Sequence, residues 1–385
     1  MALALVIIAA GMLYWIYDGY GRFLRLVCAV CRCQHPQPQS ALPSVSVLLT
    51  VHNEAAVVRQ RIENLLEADY PAELLEVVVA SDGSTDETNG IVRDLKHPRV
   101  RLMECPGGGK TVAQNLVIPK LTSDVVVFTD AGVTFDRAWI SSAVRHFADQ
   151  AVGAVDGRLI LGSPDSSQLN QSQGFYWRYE LLLRDCESRL GILAVVSGSG
   201  FAIRRSCFVP MDPWIGEDCI VPLDVVKAGY RVRHEPLALA YDQFEAGEGV
   251  TLRRRVRMTL RNWQGTWLRS ELLNPFRNPG VAFALWSHKI LRWMSPVFLL
   301  LGSGAAVAAL LQDPGLITGM ILLPWISLFL LGAFHALFER KRRFIPGGGT
   351  AFSFLLANAA FMIGILRALQ GRQVRSYQNQ QVSVR

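Results

Sequence analysis

The residues whose types and spacing could do chemistry are a small set of acids. Asp82 lies in Ser81-Asp-Gly-Ser84 just after the β-rich run Leu75 to Ala80, and Asp130 directly follows Val125 to Thr129. Glu217 and Asp218 follow Gly216 in a third segment. Carboxylates so placed can hold a divalent cation and, through it, a diphosphate. One of them can take a proton from a hydroxyl as general base. Each also has a plainer explanation: Asp82 as turn chemistry, Asp130 as the cap of a loop, Asp218 as an acid favoured at a helix N-terminus. Gly107-Gly-Gly-Lys-Thr111 resembles a phosphate-binding loop, but that motif needs glycine five residues before Gly109, where Glu104 stands. An acid there would repel a triphosphate.

The elements that must position these residues follow from hydrophobic rhythm. Val45 to Val51, Leu75 to Ala80, Val100 to Met103 and Val125 to Thr129 read as buried strands. Glu54 to Ala68 and Gln114 to Leu121 read as helices, with Thr85 or Asp86 as a possible cap after Asp82. This alternation predicts a doubly wound, parallel sheet. Ligands of such sheets gather at the carboxyl ends of the strands, where His52, Asp82 and Asp130 fall. His52 and His234 are expected to be structural.

Half of the 385 residues are hydrophobic and the formal net charge is +7. The apolar residues concentrate at the two ends. Ala2 to Tyr17, bounded by Tyr14, Trp15, Tyr17 and then Arg22 and Arg25, reads as a retained membrane anchor; positive charge follows the run instead of preceding it. Met294 to Leu311, Leu316 to Phe334 and Ala351 to Leu366 are further apolar segments, the first two joined by the turn Gln312-Asp-Pro-Gly315. If the third spans, its Arg-bearing tail falls on the outer side, so a re-entrant or interfacial placement stays open. The expected layout is an anchor over 1–25, a linker over 26–43, a cytoplasmic catalytic domain over 44–270, an interfacial segment over 271–292, a membrane region of two or three helices over 293–370 and a basic tail over 371–385. The basic clusters, including Arg253 to Arg257 and Arg340 to Arg343, flank apolar stretches and suit anionic lipid. They carry no nucleic-acid-binding motif, which argues against nucleic acid as a partner. Cys28, Cys31, Cys33 and His35 are contiguous instead of forming two separated ligand pairs, so reduced thiols in a linker are expected in preference to a zinc site.

The order of motifs adds a resemblance. Pro43-Ser-Val-Ser-Val-Leu-Leu-Thr-Val-His-Asn-Glu54, Val79-Ala-Ser-Asp-Gly-Ser-Thr-Asp86, Gly109-Lys110 with Asn115, and Phe128-Thr-Asp-Ala131 come first. Val152 to Arg158, Ser197-Gly-Ser-Gly-Phe-Ala-Ile203, Gly216-Glu-Asp218 and Arg254-Arg-Val-Arg-Met258 complete the series. Together they resemble the family 2 glycosyltransferases of GT-A fold, over roughly Pro43 to Trp267. With the membrane segments, the likeness is to the polysaccharide-synthase branch. The resemblance implies an α/β GT-A domain, a doubly wound mixed sheet, with an N-terminal transmembrane anchor and C-terminal transmembrane helices.

It also implies roles. Asp82 would contact the nucleotide base, with Asn53 and Glu54 lining that pocket and Lys110 near the nucleotide. Asp130 would open a D-x-D motif for Mg²⁺ or Mn²⁺ and the diphosphate. Asp218 would be the catalytic base, supported by Glu217. Arg254 and Arg257 would grip the diphosphate, with Trp263 and Trp267 as acceptor-stacking residues. Three positions depart from the pattern: Gly132 stands where the second metal ligand is usual, Ser81 where an acid is expected before Asp82, and Met258 where tryptophan is. The implied activity is inverting transfer from a UDP-sugar to a lipid-linked or polysaccharide acceptor at the inner face of a bacterial-type inner membrane, in envelope or exopolysaccharide synthesis. Single-sugar transfer to a polyprenyl phosphate and a degenerate, non-catalytic membrane subunit are the alternatives.

Overall fold

A computed structural model describes residues 1–30, 41–161, 175–242, 248–338 and 346–374. The first elements are helices α1 (Ala2–Tyr14) and α2 (Tyr20–Val30), joined without a break by a π-turn at Trp15–Gly19. Then come β1 (Val45–Val51), α3 (Val58–Leu66), β2 (Leu75–Asp82), α4 (Thr88–Asp94), β3 (Val100–Cys105), α5 (Lys110–Val117) and β4 (Val125–Thr129). After these follow β5 (Val133–Phe135), α6 (Trp139–Val144), β6 (Val152–Leu161), α7 (Phe175–Leu190), β7 (Gly200–Arg204), α8 (Glu217–Lys227) and β8 (Arg231–Asp242). The chain ends with α9 (Glu248–Leu268), α10 (Pro279–Ala284), α11 (Leu291–Trp293), α12 (Ser295–Gln312), α13 (Leu316–Phe338) and α14 (Gly348–Leu369).

These elements form two compact units. The sheet-bearing unit comprises Leu24–Phe244, Gln264–Ala284 and Gln373–Arg385; the other comprises Met1–Phe23, Glu245–Trp263 and Leu285–Arg372.

In the first unit eight strands are ordered β3-β2-β1-β4-β7-β6-β8-β5. β1 pairs parallel with both β2 and β4, and β2 with β3. Every residue of β1 is buried, as a parallel strand covered on both faces requires. One core packs Val47, Leu49, Val77 and Val127 with α3 and α6; the opposite face packs Leu48, Val78 and Phe128 with α5 and α8. Phe128 stacks on Phe201 at 4.5 Å between centroids, tying β4 to β7.

The sheet differs from a purely parallel one: β7 runs antiparallel to β4 and β6, and β5 antiparallel to β8. Gly200 lets the reversed β7 approach closely. A Cβ there would meet the Phe135 ring at 2.8 Å. Two helices shift from their expected spans. The helix after β1 begins at Val58 instead of Glu54; the Glu54 and Ala55 amides donate to Thr88 Oγ1 (2.8 Å) and Asp86 Oδ2 (3.2 Å), tying this turn to the segment after β2. α5 begins four residues earlier than expected because Gly109, at φ 107°, turns the chain directly into it. Asp86 accepts from the Thr88 amide at 3.0 Å, ahead of α4.

In the second unit small residues set the helix spacing. A Cβ on Gly302 of α12 would approach Trp325 of α13 to 2.3 Å and Ala9 of α1 to 3.0 Å. A Cβ on Gly364 of α14 would meet Thr259 of α9 at 2.7 Å. Tyr17 and Ser295 hydroxyls are 3.0 Å apart, and Ser295 donates to Asn358 Oδ1 at 2.6 Å, so buried polar groups also tie these helices. Among the described residues four helices are long and apolar enough to cross a membrane: Ala2–Val30, Ser295–Gln312, Thr318–Phe338 and Gly348–Leu369. The first run therefore exceeds the short sequence estimate, since helix continues through the first residues of the expected linker. Cys28 in that stretch is buried and donates to the Cys186 carbonyl at 3.6 Å. Cys31, Cys33 and His35 lie outside the described residues.

Candidate active site

β1, β2 and β4 are in register and end at one edge, so Asp82 and Asp130 emerge side by side with the loop after β1. Asp82 is the last residue of β2, and its Oδ2 accepts the Gly109 amide at 2.8 Å. Its Oδ1 is buried with no hydrogen-bond partner among the described residues. Burial pushes this carboxyl above its ordinary range, against the Gly109 amide and the His52 ring. The imidazole is placed by its Nδ1, 2.7 Å from the Asp82 carbonyl. Gly83 and Gly107 are both at positive φ, and a Cβ on Gly83 would lie 3.1 Å from Gly107 Cα. The glycine run thus lets backbone close around Asp82, which explains it without a phosphate-binding loop.

Asn53 occupies the left-handed region at φ 57° and accepts the Thr85 amide at 2.8 Å, fixing the β1 loop against the β2 loop. Glu54 is raised first by burial and then by the negative charges of Asp130 and Asp86, so it faces the same acidic edge.

Asp130 is half-exposed. The buried Lys110 ammonium bridges Asp130 Oδ1 and Glu217 Oε1. Beneath it lies Arg61, which the sequence did not single out. Arg61 donates through Nη2 to Thr129 Oγ1 at 2.8 Å and through Nε to the Asp130 carbonyl at 3.3 Å, with its guanidinium over the Phe135 ring. Burial lowers its affinity for a proton and the Asp130 charge restores part of it. A cation on the inward face of α3 was the one available signal.

Asp218 sits in the first turn of α8, where the helix dipole favours a carboxylate. A Cβ on Gly198 would lie 3.3 Å from Asp218 Oδ2, so only glycine leaves this face of the carboxylate clear. One helix joins the three acids. α5 gives the Gly109 amide to Asp82 at its N-cap and Lys110 to Asp130 and Glu217. The next residue, Thr111, donates to the Ile215 carbonyl at 2.8 Å, and one turn on Asn115 exchanges bonds with Met211 at 2.7 and 2.9 Å, holding the loop before α8.

The donor set decides what metal could bind. Among the described residues no three His, Cys, Asp or Glu side chains cluster as ligands. Asp130 supplies one carboxylate, and no side chain lies within 4 Å of a Cβ built on Gly132. This fits Mg²⁺ or Mn²⁺ held by one carboxylate and completed by phosphate and water oxygens. It does not fit an all-protein cage. Arg254, Arg257 and Trp263 belong to the other unit, where Trp263 packs edge-on to Trp293 at 6.0 Å. Trp267 is exposed on the sheet-bearing unit.

Residues 46–209 match the family model described as Glycosyl transferase family 2. "Probable glycosyltransferase YdaM" of Bacillus subtilis (strain 168) is 28% identical over 56% of this chain and 54% of its own length. A beta-monoglucosyldiacylglycerol synthase of Nostoc sp. is 26% identical over 59% of this chain and 50% of its own. A poly-beta-1,6-N-acetyl-D-glucosamine synthase of Staphylococcus aureus is 26% identical, over 64% and 61%. The chain thus spans about half the length of the first of these curated relatives. A mannosyltransferase from Pyrobaculum calidifontis, solved with GDP-Man and Mn²⁺, matches with a TM-score of 0.73 at 22% identity, over 97% of this chain and 100% of that one.

The fold is that of the GT-A glycosyltransferases, with helices able to cross a membrane toward both ends of the chain. Within it the chain carries a family 2 glycosyltransferase domain.

Proposed function

We propose that the protein is an inverting glycosyltransferase that moves one sugar from a nucleoside diphosphate donor to an acceptor hydroxyl. The observation that carries this is the gathering of Asp82, Asp130 and Glu217 around the start of α5, with Asp218 the next residue after Glu217 in the first turn of α8. The free Oδ1 of Asp82 is a buried acceptor for an N–H of the donor base. A UDP-sugar is the preferred donor, with Asn53 and Glu54 beside the nucleotide.

The acceptor oxygen bonds to the anomeric carbon from the face opposite the leaving group. The carbon–oxygen bond to the diphosphate breaks, and Asp218 takes the acceptor proton. Glu217 holds Lys110, and Lys110 holds Asp130 toward the diphosphate. Asp130 would hold Mg²⁺ or Mn²⁺, which when bound neutralises charge on the departing diphosphate. Trp267, exposed on the sheet-bearing unit, stacks on the acceptor sugar.

The acceptor is lipid-linked or a growing polysaccharide, a class supported by relatives named for a glycolipid and for a polysaccharide. The four candidate spans support membrane association, with membrane lipids as partners; the reading places them in a bacterial-type inner membrane with residues 44–270 cytoplasmic.

The test is nucleoside diphosphate release by the detergent-purified full chain from UDP-glucose, UDP-N-acetylglucosamine and GDP-mannose, with Mg²⁺, Mn²⁺ or EDTA. Metal-dependent release from one donor, lost in Asp218→Asn by about 10²- to 10⁴-fold while UDP still binds, is expected. A folded Asp218→Asn protein with normal turnover would overturn the assignment of the base.

A further inference from the structure

Asp156 of β6 is completely buried and has no part in the chemistry above. Its Oδ2 takes bonds from Arg184 Nη1 at 3.0 Å and pairs with His234 Nδ1 at 2.9 Å. Arg184 also donates to Glu180 at 3.1 Å, so α7, β6 and β8 meet in one buried ionic cluster. Burial alone would raise the Asp156 carboxyl, but Arg184, His234 and the Ser197 amide hold it below its ordinary range. A buried ionic cluster is poor evidence of stability, since apolar packing often does as well. What distinguishes this one is its remaining bond. Asp156 Oδ1 accepts the backbone amide of Ser197 at 2.6 Å.

Ser197 opens the turn that leads into β7, and the next residue is Gly198, whose α-carbon faces the Asp218 carboxylate. The turn is braced internally by the Ser197 and Ser199 hydroxyls, 2.7 Å apart. At its far side the Ser199 carbonyl accepts Thr129 Oγ1 at 3.1 Å, one residue before Asp130. The same short loop therefore touches the base on one side and the end of β4 on the other.

We propose that Asp156 is a positioning residue for catalysis. Its ionised carboxylate, locked by Arg184 and His234, fixes the Ser197–Ser199 turn, and the turn sets where the Asp218 carboxylate stands relative to Asp130. The inference rests on Asp218 being the base. A charge is used because a carboxylate accepts the Ser197 amide while its other oxygen is anchored from two directions, which leaves the turn one position. Misplacing a reacting group by about 1 Å can reduce turnover about 10²-fold.

The test compares Asp156→Ala, Asp156→Asn and Gly198→Ala with the wild type. Turnover is read as nucleoside diphosphate release from the active donor, and UDP affinity by calorimetry with Mn²⁺. Gly198→Ala leaves the ionic cluster intact and places a methyl against Asp218 Oδ2, so it serves if the Asp156 variants do not fold. Expected are a fall in kcat of about tenfold for Gly198→Ala and up to about 10²-fold for Asp156→Ala, with UDP affinity within about twofold. Asp156→Asn, which keeps an acceptor for Ser197, falls between wild type and Asp156→Ala. Folded Gly198→Ala and Asp156→Asn proteins with wild-type kcat overturn the proposal, as does a loss accounted for wholly by weaker UDP binding. Asp218→Asn run alongside separates the two failures. If it is inactive while these variants are normal, the positioning role alone falls; if it turns over, the base assignment falls first.

Discussion

The Lys110 ammonium stands between two carboxylates, pairing with Oδ1 of Asp130 and Oε1 of Glu217. Glu217 is buried and Asp130 is half-exposed, so one lysine links the inner support of α8 to the open edge of the sheet. Lys110 thereby shares the charge of Asp130, the carboxylate that would hold the metal in the proposed function.

Removing that cation strands a buried charge. Lys110→Met is expected to destabilise the protein by about 3–5 kcal/mol, the usual effect of taking one partner from a buried pair. Lys110→Met with Glu217→Gln should recover most of the loss. Thermal unfolding of both proteins in the same detergent checks this, and equal losses in the single and double variants would count against the pairing.

Gly132 has open space where its side chain would be. Gly132→Asp is therefore expected to fold normally and to bind Mn²⁺ in the presence of UDP about tenfold more tightly, equivalent to about 1.4 kcal/mol. Electron paramagnetic resonance titration of free Mn²⁺ measures it. Unchanged affinity would mean that position 132 does not face the metal.

Asp82 carries a pH signature. Its carboxyl is raised by burial, and in the proposed role its ionised form would accept an N–H from the base. Nucleotide binding thus favours the deprotonated acid, so affinity is fully present above the raised value and declines as pH falls through it. The decline should begin at higher pH than for an ordinary Asp. UDP affinity measured from pH 8 to pH 5, as the ratio of wild type to Asp82→Asn, isolates this from titration of the diphosphate. A ratio constant with pH would remove Asp82 from the base pocket.

Two glycines of α12 should behave oppositely. Gly302→Val drives a side chain into Trp325 and Ala9 and is expected to cost about 1–3 kcal/mol, the range for overpacking. Gly304→Ala meets nothing within 4 Å and should be near neutral. Unfolding midpoints in one detergent compare them.

The sequence alone determined the strands that carry the acids, because buried β-branched runs and the turns after them are local signals. It also determined the apolar ends and the identity of Asp82, Asp130 and Asp218 as candidates, since their motif order is a one-dimensional property. Tertiary structure decided the rest. The reversal of β7 and β5 depends on pairing between segments far apart in the chain, which no local propensity encodes. Arg61 and Asp156 look like ordinary charged residues in sequence; only folding buries them and turns their charges onto Thr129, Asp130 and Ser197. The start of α5 was displaced for a related reason. Gly109 is needed at Asp82, and a helix boundary set by a partner on another strand is invisible to periodicity.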